Sequence, residues 1–150
     1  MNIQLNPNQI DLGVVVSVNL FNLLLVALFW GRIADQPLVA RVAGISTLVL
    51  GIPLAAFAIA NLVQRRAWWT AALPLLLVLF LLIELVFDYI LKIEFRQTWL
   101  VGPYLLFYYL GSMVMVGYAF MVKVPYGVIT LITYFMQVGL GVYARYKTGL

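Results

Sequence analysis

The stretch from Trp68 to Arg96, WWTAALPLLLVLFLLIELVFDYILKIEFR, constrains the chain more than any other. It opens on a tryptophan pair, runs through an unbroken apolar block, and then places Glu84, Asp88, Lys92 and Arg96 at successive i, i+4 positions. At about 1.5 Å per residue, Trp69 to Leu91 is long enough to cross the ~30 Å hydrocarbon core of a bilayer. Two carboxylates therefore belong to a lipid-embedded helix, where ionisable groups are costly and turn toward protein or water.

The whole chain shares this character. It is 65% hydrophobic and 9% charged, against roughly 45–50% and 25% in soluble domains. That balance predicts a single all-α integral membrane domain over residues 1–150, with no separate soluble domain. Cysteine and histidine are both absent. Their absence removes disulfides, thiol catalysis, thiolate zinc sites and histidine-ligated haem together. The expectation is no metal and no cofactor. The net charge of +4 does not call for nucleic acid, because the basic residues fall between apolar segments, where membrane topology accounts for them.

Five spans are predicted. The opening MNIQLNPNQID is polar and carries no Lys or Arg, unlike the basic n-region of a signal peptide. Asn6-Pro7 reads as an N-cap followed by proline at the first helical position. The first span runs over 12–30 and stops at Gly31-Arg32. The second runs over 38–63, long enough to need a bend, which Gly51 and Pro53 offer. Its small residues at i, i+4 spacing (Ala40 and Gly44, Gly51 and Ala55, Ala56 and Ala60) predict the central packing helix. The third covers 69–91 and is followed by the charged loop KIEFRQT. The fourth covers 99–122 and the fifth 126–144. Lys123-Val124-Pro125 joins those two as a tight antiparallel hairpin.

An odd number of spans puts the termini on opposite sides. With the N-terminus outside, Arg32, Arg41, Lys92, Arg96, Arg145 and Lys147 lie inside and Arg65, Arg66 and Lys123 outside, as the positive-inside rule requires. Trp30, Trp68, Trp69 and Trp99 then mark the span ends as an aromatic belt. The predicted location is a multi-pass membrane protein with a cytoplasmic C-terminus.

Within the spans, polar residues stand out. Asp88 lies near enough to the inner interface to pair with Lys92 one turn on, and that ion pair is the expected role of both. Glu84 sits deeper and needs polar company. Tyr104, Tyr108 and Ser112 form an i, i+4 row on the fourth span; Thr130, Tyr134, Gln137 and Gly141 form one on the fifth. Asn19 and Asn22 share a face of the first. These residues predict a polar seam inside the bundle. The seam reads either as interhelical hydrogen bonding or as a small amphipathic cavity anchored by Glu84.

Enzyme templates are not met. Two carboxylates converging from different elements, Asp-rich diphosphate motifs, a Gly-rich phosphate loop and G-x-S-x-G are all missing. No catalytic residue is predicted. Trp99-Leu-Val-Gly102-Pro103, followed by Tyr109, resembles the W-x-x-G-P…Y element of the tryptophan-rich sensory (translocator) proteins, five-span proteins that bind porphyrins and sterols. The resemblance covers only Trp99 to Tyr109. The element belongs to their second span and opens the fourth here, so it carries over no binding residue.

The functional expectation is a small integral membrane protein that binds or passes a lipid or lipophilic molecule. Its candidate site residues are Glu84, Asn19, Asn22, Tyr104, Tyr108, Ser112, Tyr134 and Gln137. The alternative is a structural or accessory subunit, packing against other membrane subunits or a second copy of itself.

Overall fold

The computed structural model describes residues 6–92 and 98–149. The charged connection that includes Arg96 lies outside the described residues. Asn6 caps the first helix as the sequence predicts. Its side chain accepts from the Asn8 N–H, and the Gln9 side chain accepts from the Asn6 N–H in a reciprocal capping box. Helix α1 then runs Pro7–Ile33.

At its end the Asp35 and Gln36 N–H groups bond back to the carbonyls of Arg32 and Gly31, with Asp35 in the left-handed region. This is the Schellman pattern, which satisfies carbonyls that the helix end leaves open. Gly31 is required there. A Cβ at that position would stand 2.8 Å from the backbone nitrogen of Ala40, where the next helix crosses.

The second span is two helices, α2 (Pro37–Val49) and α3 (Gly51–Val63), broken at Leu50. Pro53 has no N–H to give the Val49 carbonyl, so the bend falls beside the Gly51-Pro53 pair as expected. A second Schellman turn closes α3. The Arg65 N–H bonds to the Leu62 carbonyl and the Arg66 N–H to that of Asn61. Helix α4 (Trp69–Glu84) continues into a π-helical turn, Leu85–Ile90. Helices α5 (Val101–Val122) and α6 (Val124–Thr148) complete the chain. The joint between them is one extended residue, Lys123, shorter than the three-residue break expected, because Pro125 sits within the first turn of α6 and Val124 is already helical.

The result is a bundle of five apolar helical segments, Pro7–Ile33, Pro37–Val63, Trp69–Ile90, Val101–Val122 and Val124–Thr148, each long enough to span a membrane. The protein is a multi-pass membrane protein. One end of the bundle gathers Pro7, the 64–68 turn and Lys123; the other gathers Ile33, Ile90, Val101 and Thr148.

The central helix is α1 and not the second span. The apolar stretch of α1 is 44% buried, against 22% for α2–α3. Helix α1 packs on α2, α3, α5 and α6. Val14, Val18, Phe21, Leu25 and Leu28, spaced alternately four and three apart, form its inward stripe against Leu54, Leu77, Phe80, Met115 and Tyr118. Small residues in the second span allow close approach at single points: a Cβ on Gly44 would lie 3.0 Å from the Tyr89 hydroxyl. Close approach does not require the helix to be surrounded.

Candidate functional site: a cavity at one end of the bundle

The two ends of the bundle are built differently. At the Lys123 end, α4 contains Pro74, which cannot bond to the carbonyl of Thr70. The side-chain amide of Asn61 donates to that carbonyl at 2.8 Å. The Asn61 side-chain oxygen then accepts from Arg66 Nη1 at 2.7 Å. Arg66 meets Asp11 with both guanidinium nitrogens, at 2.9 and 2.8 Å. The Tyr118 hydroxyl donates to the same carboxylate at 2.7 Å, and its ring meets Trp69 edge-on. Hydrogen bonding to Asp11 raises the Arg66 pKa despite its partial burial, so the guanidinium stays charged. One connected network thus closes this end, tying α1, α3, α4 and α5. None of its members was a candidate in the sequence. The available signal was an acid in the first turns of one span and a basic pair in a turn on the same side of the membrane.

Midway along α1, Asn19 and Asn22 face α6. Asn19 Nδ2 donates to Thr130 Oγ1 at 2.9 Å and Asn22 Nδ2 to Thr133 Oγ1 at 2.9 Å. Thr133 in turn donates toward Asn19 Oδ1 at 2.9 Å. This cluster is an interhelical clamp, with both asparagines turned to threonines on α6. Ser112 donates to the Tyr108 carbonyl one turn back, at 2.8 Å, a local bond that hides a hydroxyl in an apolar helix. The Tyr108 hydroxyl donates to Gln137 Oε1 between α5 and α6. Gln137 is fully buried, and its Nε2 has no hydrogen-bond partner among the described residues. Tyr134 is also buried, with its ring edge-on to Phe135.

At the opposite end the bundle is hollow. A cavity of about 360 Å³ lies between α1, α4, α5 and α6. Its buried wall includes Leu25, Leu28, Phe80, Tyr108 and Ala144. Toward the end of the bundle it is bordered by Arg32, Arg145, Tyr146 and Thr148, with Glu84 on the α4 side. Arg32 and Arg145 come from the last turns of α1 and α6, where cations also answer the negative helix ends. Arg32 lies 6.0 Å from the centre of the Phe29 ring. Tyr89 stands within electrostatic reach of Glu84, Asp88, Arg32 and Arg41, so the charges of α1, α2 and α4 meet at this end.

Of the sequence candidates, Glu84, Tyr104 and Tyr108 line this cavity. Gln137 stands behind Tyr108, while Asn19, Asn22, Ser112 and Tyr134 occupy the positions just described. Asp88 lies in the π-helical turn, and Lys92 lies beyond it in the left-handed region. Arg32, Arg145, Phe80 and Leu105 also line the cavity and were not candidates, because span-end arginines and apolar residues carry no site signal in sequence. Comparison with protein-family models, with curated proteins and with solved structures finds no match.

Proposed function

We propose that the protein binds a lipid or lipophilic small molecule in this cavity, as a binding or carrier component of its membrane and not as an enzyme. What supports the reading is the cavity itself. Its ~360 Å³ falls within the roughly 300–1,000 Å³ range of small-molecule pockets, and apolar and aromatic walls meet a few charged groups at one end. In the orientation expected from the basic residues, that end faces the cytoplasm, so the ligand enters from the inner leaflet. The test is mass spectrometry of molecules retained after purification in a mild neutral detergent, comparing the parent with Leu105→Trp, which places a large ring in the void. A species present in the parent and lost from the variant is the expected result. Identical retention by both sinks the reading.

A second reading, an accessory subunit, is favoured by Gly117 and Gly139. Among the described residues a Cβ at either would meet nothing within 4 Å, so both leave shallow places on the outer surface where a neighbouring helix can approach closely. Partner chains that copurify with the parent and are lost from Gly139→Leu would support it.

A further inference from the structure

The charges and size of the cavity narrow its ligand class, and the narrowing rests on the binding reading above. Among the described residues, two guanidiniums and one carboxylate border the void, Arg32 and Arg145 against Glu84, a surplus of one positive charge. Arg145 is the exposed one of the two arginines, one residue from buried Ala144 on the cavity wall. A head group at Arg145 therefore keeps contact with water while its tail runs inward. The wall it would run along, Phe80, Leu105 and Tyr108, is apolar and aromatic.

Volume favours a small tail. At about 360 Å³ the void lies near the lower end of the roughly 300–1,000 Å³ range of small-molecule pockets. That suits one acyl chain better than the two chains of a membrane diacyl lipid. We infer that the cavity takes a single-chain amphiphile with a monoanionic head, the anion at Arg145 and the chain between α4 and α5. A carboxylate and a phosphate diester share this chemistry, so a free fatty acid and a lysophospholipid are its two sources.

The test uses full-length protein in phosphatidylcholine nanodiscs and a diazirine-bearing palmitate as photoprobe. Palmitate, palmitoyl-lysophosphatidylglycerol, hexadecanol and hexadecyltrimethylammonium are the competitors. Labelled peptides should map to the cavity walls on α4 and α5. Both anions should compete about tenfold better than the alcohol, a difference typical of a charge-assisted contact, and the cation should compete least. Whichever anion competes better identifies the source. Arg145→Gln, a change at an exposed position, should bring palmitate down to the level of hexadecanol and leave hexadecanol unchanged.

Hexadecanol or the cation matching palmitate, with labels still in the cavity, overturns the anionic class and leaves the binding reading standing. Labels outside the cavity, or labelling that persists in a folded Leu105→Trp protein, overturn both. Val138→Phe, which fills the void from α6, replaces Leu105→Trp if that protein does not fold.

Discussion

Arg66 grips Asp11 through two parallel hydrogen bonds, although 55 positions separate them in the chain. The guanidinium reaches the carboxylate because the turn after Asn61 folds Arg66 back over the first helix, and Asn61 then holds it from the other side. Planar fork and planar acid match, which lysine in place of Arg66 would not reproduce.

The pair is partly buried, with side-chain exposures of 20% and 11%. Removing one partner leaves a charge without its counterion, and Asp11→Leu or Arg66→Met should each cost about 3 kcal/mol, at the low end of buried pairs. The double variant should be more stable than the sum of the single changes implies. Thermal unfolding in detergent measures the cycle. Single costs below about 1 kcal/mol would place the pair among ordinary surface ion pairs.

Two glycines should respond in opposite senses. A Cβ on Gly13 would run into the ring of Phe57, where α1 meets α3. Gly13→Ala should destabilise by about 1–3 kcal/mol through overpacking. Gly139 faces open space on α6, so Gly139→Ala should stabilise by up to about 1 kcal/mol, the helix-interior penalty of glycine. Loss of stability in Gly139→Ala would mean that this face of α6 is covered.

The absence of cysteine makes topology directly measurable. Single cysteines at Gln64 and Lys123 occupy one end of the bundle, and those at Gln36 and Thr148 the other; all four positions are exposed. With the N-terminus outside, an impermeant thiol reagent should label the first two in intact cells and spare the last two. The reverse pattern would invert the protein and place the cavity in the outer half of the membrane. Labelling of one residue from each pair would contradict the five-span fold.

Glu84 gives a charge test at the cavity. Glu84→Gln keeps the size of the side chain and its capacity to hydrogen-bond, so folding should be preserved. It also removes the carboxylate that opposes Arg32 and Arg145 in the lining. Competition by palmitate should strengthen several-fold, as expected when a like charge near an anion is deleted. Weaker palmitate competition in a folded Glu84→Gln protein would mean that the acid helps to position the head group.

The five spans were legible because each carries its own signal, a long apolar run ended by Gly31, Gln64, Lys92, Lys123 or Arg145. The bend at Leu50 could be read from Gly51 and Pro53. Lateral order was not legible: small residues in the second span promised a central helix, but which helix is surrounded depends on all the neighbours together. Of the polar rows, the faces were visible and their partners were not. Asn19 and Asn22 found threonines on α6, and Ser112 found its own backbone, because rotation of a helix about its axis is set by packing that a single sequence does not display. The Asp11 network is not legible in the sequence for a similar reason. Its members come from four separate stretches, and Pro74, which frees the Thr70 carbonyl, looks unremarkable within an apolar run.

The single-residue joint at Lys123 makes α5 and α6 a pair of levers. Their covalent link is one extended residue with two soft backbone rotations. Helix α5 has 22 residues and is therefore about 33 Å long at 1.5 Å per residue. A change of about 5° at the joint moves its far end by about 3 Å over that length, and the far ends of the two helices are the walls of the cavity. The joint and the mouth of the cavity thus lie at opposite ends of α5, so any rotation at Lys123 would be magnified along the helix before it reached the cavity, and the Tyr108–Gln137 bond between α5 and α6 opposes such a rotation.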